Sequence, residues 1–394
     1  MKSEWTYRPL GELVSFASGG TPSKKRDDYW GGTIPWISAK TLKTENIDTS
    51  DLFITEEGLK AGSKIAPKGS ILLLTRGSGL FNGIPIARVE KDVAFNQDIK
   101  CLDSYGEVEN EFIFYWLLSQ KDYLMAKVGV TGIGAGKFDL DFLQKLMIPI
   151  PSERERKSIV AFASSISEKI RCNAKVNDNL YDLVNTLYTK LFKDTDCEMT
   201  TLEDYVDCIY SGGTPATSNM AYWNGNLNWL SSGETRNRFV ISTEKTITQL
   251  GADNSSTKSA QKYDIVIASA GQGFTRGQTS MLLLNTYINQ SVIVLHAKKT
   301  VLPYLFWNLT NRYDDLRAIS DSSSIRGSLT TKMLSKLKIP KVEDSLILKF
   351  SEFAWSIIPQ IENNLIENKR LTDLRDSLLP KLMSGEIDVS DIQL

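Results

Sequence analysis

Two stretches of the chain carry apolar residues at strict 4-3 spacing. In the first the seam runs Ile159, Ala163, Ile166, Ile170, Asn173, Asn177, Leu180, Val184, Leu187 and Leu191. In the second it runs Phe350, Ala354, Ile357, Ile361, Asn364, Asn368, Leu371, Arg375, Leu378 and Leu382. Sustained 4-3 spacing predicts two long helices pairing as a coiled coil. An amphipathic helix lying on its own domain is the plainer alternative. The mid-seam asparagines fix register, because a slipped pairing would bury an amide without a partner. If the helices pair, Asn173 and Asn177 should meet Asn364 and Asn368. An antiparallel pair would place a pseudo-twofold axis at mid-seam; parallel packing stays open. Pro359 predicts a kink in the second helix, and Pro380 its fraying end.

Ahead of each helix the pattern is different. Short β-rich runs (Ser70–Thr75, Asp264–Ser269, Ser291–Leu295) alternate with turns rich in Gly, Pro, Ser and Thr, and with short aromatic helices over Glu111–Ser119 and Pro303–Leu309. This predicts an α+β fold. The same segment occurs twice. Residues 18–38 (SGGTPSKKRDDYWGGTIPWIS) align without a gap with residues 211–231 (SGGTPATSNMAYWNGNLNWLS), at an offset of 193. Asn96-Gln97 answers Asn289-Gln290, Trp116 answers Trp307, and Leu146-Met-Ile-Pro149 answers Leu337-Lys-Ile-Pro340. A period this long is too large for a solenoid and means two tandem modules. The predicted organisation is a globular part over 1–150, a helix over 151–194, a second globular part over 195–340, and a second helix with a tail over 341–394. Between the landmarks the copies diverge: Lys24-Lys-Arg-Asp-Asp faces Thr217-Ser-Asn-Met-Ala. One scaffold carrying two different surfaces suits two related tasks.

Composition narrows the chemistry. The 394 residues include 46 Lys and Arg, 47 Asp and Glu, and one His, with 41% hydrophobic residues, as in globular proteins. A single imidazole, His296, makes a Ser-His-Asp triad improbable. The four cysteines (Cys101, Cys172, Cys197, Cys208) form no CxxC pair, which argues against a zinc site or a disulfide framework. No apolar run approaches membrane-span length and the N-terminus lacks a signal-peptide pattern, so a cytoplasmic protein is expected.

No catalytic motif emerges. Gly132-Ile-Gly-Ala-Gly136 has the wrong spacing for a dinucleotide loop, and Lys137 is followed by Phe138, not Ser or Thr. Gly271–Gly277 also misses. Neither Asn-Pro-Pro-aromatic nor Asp-Pro-Pro-Tyr, motifs associated with adenine aminomethyltransferases, occurs, and no His/Cys/Glu set has metal-ligand spacing. Acidic pairs such as Asp27-Asp28 and Glu56-Glu57 read as solvated surface. The sequence therefore reads as one that binds. A net charge of −1 gives little general attraction for nucleic acid, but basic residues can still cluster on one face. The candidates lie in the diverged loops: Lys24, Lys25, Arg26, Lys40, Lys43, Arg76 and Lys137 in the first copy, and Arg236, Arg238, Arg276 and Arg326 in the second. Arg suits guanine edges, and Lys or Arg suits phosphate; ordinary surface charge is the plain alternative for each. Tyr29, Trp30 and Trp36 recur in both copies and read as scaffold.

The SGGTP…YW.G….W.S opening, the Asn-Gln turn, the Leu-x-Ile-Pro run before a long helix and the closing Leu378-Leu-Pro-Lys-Leu-Met-Ser-Gly-Glu-Ile-Asp388 resemble the specificity subunit of type I restriction-modification systems. The resemblance spans essentially the whole chain. It implies two target recognition domains, each reading one half of an asymmetric, bipartite site on double-stranded DNA. It implies antiparallel spacer helices that set the gap and dock two methyltransferase subunits, with restriction subunits joining the assembly. S-adenosylmethionine, ATP and Mg would belong to those partners; this chain would be non-catalytic, bind no cofactor, and act in a bacterial or archaeal cytoplasm against foreign DNA. One departure stands out. The family's usual Pro-Leu-Pro-Pro and Glu-Gln lead into the first helix is here Pro149-Ile-Pro-Ser-Glu-Arg-Glu-Arg, and in the second copy Pro340-Lys-Val-Glu-Asp-Ser.

Each helix, at 1.5 Å per residue, should extend about 50 Å, roughly one and a half turns of B-DNA. Two other readings compete: a free-standing coiled-coil scaffold without a DNA role, and an enzyme with a site around Asn96-Gln97 or Gly132–Lys137.

Overall fold

The first long helix starts where the sequence supplies a cap. Ser152 Oγ lies 3.3 Å from the Glu155 amide, and Glu155 returns a carboxylate to the Ser152 amide at 2.9 Å. This reciprocal arrangement satisfies two of the donors every helix start leaves orphaned. In the computed structural model the helix then runs Glu153–Phe192, and the second runs Asp344–Met383. The second helix ends where Gly385 takes φ +71°, with the Glu386 amide bonded to the Lys381 carbonyl at 2.9 Å, a glycine-closed C-terminus. It continues unbroken through Pro359, the expected site of a kink. The structure describes residues 5–132, 134–192, 198–271, 274–321 and 327–388.

The chain forms two compact units. The first comprises 1–170 with 370–394, and the second comprises 171–369. Each unit therefore takes one stretch of each long helix.

Both units share one sheet order. In the first, a five-stranded sheet runs Val14–Ser18, Ile99–Ser104, Ile71–Leu74, Ile86–Val89, Asn46–Ile47. The second repeats it as Cys208–Ser211, Val292–His296, Ile265–Ala268, Thr279–Leu282, Phe239–Val240. The pairs are antiparallel except the last, which is parallel in both units. A four-stranded sheet accompanies each, built on Trp30–Ile37 or Trp223–Leu230. The central strands Ile71–Leu74 and Ile265–Ala268 are buried throughout, so they read as continuous apolar runs rather than alternating ones. The aromatic helices span Asn110–Ser119 and Leu302–Thr310, their apolar residues buried.

The units differ at one sheet. Only the first, among the described residues, has a three-stranded sheet of Gly129–Val130, Gly136–Lys137 and Arg76–Gly77. A shared contact lies beneath it: the Phe138 amide donates to the Thr75 carbonyl at 2.9 Å, as the Leu329 amide does to Ser269 at 2.8 Å.

Within each unit the helix stretches run antiparallel, which decides the orientation the seam leaves open. Asn173 bonds Asn368 at 2.9 Å and Asn364 bonds Asn177 at 2.8 Å in the second unit. In the first, Ile159 and Ala163 share a core with Leu379, Leu382 and Met383. The 4-3 seam needs amending away from its centre. Tyr181, Tyr188 and Phe192 are buried, whereas Leu180, Leu187 and Leu191 are half-buried; Ile358 and Leu379 likewise replace Ile357 and Leu378. The reason is a second neighbour. Toward its ends a helix packs on a globular part as well as on its partner, and so needs a wider apolar stripe than a two-helix seam. Tyr181 stacks on Trp307 at 5.6 Å, and Tyr188 meets Phe350 at 5.8 Å.

Candidate nucleic-acid interface

The repeated SGGTP…YW…W motif builds the frame for the loops. Trp30 and Trp36 meet edge to face at 5.2 Å, as do Trp223 and Trp229 at 5.1 Å. Their indole N–H groups donate to Ser23, Gly20, Ala216 and Gly213 carbonyls respectively, which fastens the glycine turn. Gly19 and Gly212 sit so close to the next strand that a Cβ would lie 2.0 Å from the Phe95 carbonyl oxygen and 2.1 Å from that of Ile288. Thr21 donates to Gln97 Oε1 at 2.7 Å, and Thr214 does the same to Gln290. Asn96 Oδ1 accepts from the Asp98 amide at 3.2 Å, and Asn289 Oδ1 from Ser291 at 3.0 Å. These residues hold backbone to backbone, so the motif is scaffold and the Asn-Gln turn is part of its clasp.

Seven first-copy cations were expected at the surface. Lys24, Lys25 and Lys40 are exposed on turns, and Lys43 is exposed in irregular chain just after one. Arg26 forms a bidentate pair with Asp28 at 2.8 and 2.7 Å and lies over the Tyr29 ring at 4.8 Å. The arginine's hydrogen bonds hold the Asp28 carboxyl below its ordinary range. Arg76 and Lys137, far apart in sequence, are direct cross-strand partners in the three-stranded sheet, and both are exposed. Like charges placed opposite each other repel, and a bound anion relieves that repulsion. Among the described residues neither has a carboxylate partner.

In the second copy Arg236 pairs with Glu244 at 2.6 Å. Arg238 lies over the Tyr181 ring at 4.2 Å and reaches Asp178 at 3.6 Å. Both line a cavity of about 570 Å³ with Tyr181, Phe274, Thr279 and Tyr313. Sequence reasoning passed over Phe274, although it is 80% exposed; a lone aromatic inside a glycine-rich loop was the available signal. Arg276 is placed differently. Its guanidinium bonds the Gly327 carbonyl and the Asp321 carboxylate and is largely buried, so it ties these two residues together. Arg326, and likewise Cys197, lies outside the described residues.

No group of three His, Cys, Asp or Glu residues is placed to hold a metal among the described residues, and no helix there is long and apolar enough to cross a membrane.

The comparisons agree with this architecture. A family model described as the type I restriction modification DNA specificity domain matches twice, over residues 2–181 and 195–370. The chain is 28% identical to the type I restriction enzyme EcoR124I/EcoR124II specificity subunit of Escherichia coli, over 55% of this chain and 50% of that protein. It thus spans half the length of that relative. It is 23% identical to the type I restriction enzyme MjaIX specificity subunit of Methanocaldococcus jannaschii, over 99% of this chain and 95% of that one. Its fold is similar to the crystal structure of a type I restriction-modification S subunit from M. genitalium, with TM-score 0.55 and 18% identity, covering 96% of each chain.

Proposed function

Because the chain belongs to the type I restriction-modification DNA specificity family, we propose that it is the non-catalytic DNA-recognition subunit of such a complex. Each globular part reads one half of an asymmetric bipartite site in double-stranded DNA. The two long helices set the unread gap and dock two methyltransferase subunits. Those subunits use S-adenosylmethionine, and restriction subunits using ATP and Mg join the same assembly. The boundaries proposed for the parts are 1–150, 151–194, 195–340 and 341–394.

The observation that carries this reading is the duplicated frame with unlike loops. One sheet order occurs twice. The first copy displays Lys24, Lys25, Lys40, Lys43, Arg76 and Lys137, and the second displays Arg236 and Arg238 beside an exposed Phe274. Two readers with different side chains on one scaffold specify an asymmetric target. We assign phosphate contact to the lysines and to Arg76, whose opposition to Lys137 suits an anion, and base-edge contact to Arg236 and Arg238. Arg26, held by Asp28 and Tyr29, presents a fixed guanidinium edge to the half-site read by the first part. Arg276 acts by tying Gly327 to Asp321.

The test is a methylome. The chain is expressed with the methyltransferase subunit of its own host, and methylated adenines are mapped. One bipartite asymmetric motif is expected, and replacing residues 1–150 with those of a relative that carries an acid at the position of Glu45 should alter one half only. Absence of methylation, or alteration of both halves, overturns the reading.

A further inference from the structure

The two helix–domain junctions occupy equivalent positions but carry opposite charges. In the first unit, Arg375 of the second helix is 3% exposed. Its guanidinium grips Glu45 at 2.5 and 2.9 Å, touches Ser167 Oγ at 3.1 Å and reaches Asp376 at 2.9 Å. Lys121 adds a second cation to Glu45 at 3.1 Å. Burial works against the charge on Glu45, but the bonds and charge of Arg375 outweigh it and hold the carboxyl below its ordinary range.

Backbone bonding identifies the counterpart of Glu45. The Glu45 carbonyl accepts from Arg88 at 2.9 Å, just before a strand that runs parallel to Ile86–Val89. The Arg238 carbonyl accepts from Met281 at 2.9 Å, just before a strand that runs parallel to Thr279–Leu282. An acid in one domain thus stands where a base stands in the other. The helix positions differ as well. Aligned on the repeated seam, Arg375 corresponds to Val184, which is fully buried. Arg238 instead packs on Tyr181 and faces Asp178 from the first helix.

We propose that these residues form a charge key fixing which globular part each helix end accepts. Placed against the first helix, the first domain would bring Glu45 to Val184 and Asp178, leaving its carboxylate with Lys121 alone and without the arginine fork. Placed against the second helix, the second domain would bring Arg238 to Arg375. A module therefore does not pair with a second copy of itself, and a foreign domain replaces the first only if it brings an acid at the position of Glu45. Removing one partner of a buried ion pair is strongly destabilising because the remaining charge stays desolvated. The key rests on packing and charge and does not depend on the DNA-reading role.

The experiment uses the full chain, with thermal unfolding as readout. In one variant the two globular parts exchange places while the helices stay unchanged; in a second, Val184→Arg and Arg375→Val are added so that the arginine follows its acid. The first should melt well below the wild type and the second should recover most of the loss. An exchanged chain that melts with the wild type overturns the key, as does one that the helix changes fail to improve. Because an exchanged chain can fail to fold, the native order supplies a parallel test. Glu45→Arg should lower Tm by about 5 °C or more, and Glu45→Arg with Arg375→Glu should recover at least half. A control reversal at the exposed Glu57 should do little. Equal effects at positions 45 and 57, or no recovery in the double variant, sink the proposal.

Discussion

Asn364 Nδ2 donates to Asn177 Oδ1 across the helix pair at 2.8 Å, and both side chains are buried. Asn177 passes its own amide hydrogen to the Ile361 carbonyl at 3.2 Å, and Gln360 donates to Asn364 Oδ1 at 3.0 Å. Such a chain of amides is satisfied in one register only. Asn364→Ala strands Asn177 Oδ1 and should cost about 1–3 kcal/mol, read as a lowered Tm. Converting Asn177 and Asn364 together to Leu should restore stability to near or above the wild type, since both polar groups leave the seam. If the double variant is as unstable as the single, the amides do not act as a pair.

Gly19→Ala and Gly212→Ala should each destabilise one unit. The new methyl would sit about 2 Å from a carbonyl oxygen of the neighbouring strand, so the strand must move. Overpacking of this kind costs about 1–3 kcal/mol. Limited proteolysis should show Gly19→Ala opening residues 1–150 while 198–321 stays protected, and Gly212→Ala the reverse. Equal opening of both would mean that the motif is not a local clasp.

How far the sequence could be read follows from these same residues. Tandem duplication, long helices, the Asn meeting and the scaffold role of the tryptophans were legible because each repeats at a fixed offset or a fixed helical period. The seam away from mid-helix was misread at Tyr181, Tyr188 and Phe192. Periodicity reports which face is apolar, not how many neighbours cover it. Arg375 stood out only as a charge on an apolar seam, and its acid lies in a loop far away in sequence. The site was least legible. Arg76 and Lys137 meet only through strand pairing, and nothing local separates the largely buried Arg276 from the exposed Arg236.

Arg276→Lys and Arg76→Ala should therefore differ in kind. The planar fork of Arg276 serves a carbonyl and a carboxylate together, which an ammonium cannot reproduce. Its replacement should lower Tm by a few degrees. Arg76→Ala should leave Tm unchanged or slightly raised, because it removes a like charge opposite Lys137. In the complex, it and Lys137→Ala should each weaken binding evenly across DNA sequences and reduce the slope of log K against log salt by about 1. Titrations at several salt concentrations decide this. A Tm loss in Arg76→Ala, or a sequence-dependent loss of affinity, would contradict the assignment to phosphate.

Acid should loosen the first unit through Glu45. Its carboxyl is held below the ordinary glutamate range in the folded chain by Arg375, with Lys121 assisting, against an opposing effect of burial. The unfolded chain, with an ordinary pKa near ~4.3, binds the proton more readily. Stability from this group is therefore complete above the unfolded pKa and is lost as pH falls through the lower, folded one. Glu45→Gln removes that dependence. It should be less stable than the wild type at pH 7, because Arg375 loses its anion, and the gap should narrow steadily below about pH 4. Melting curves of both chains from pH 7 to 3 measure it. A constant gap across that range would show that the Glu45 carboxylate is not what Arg375 needs.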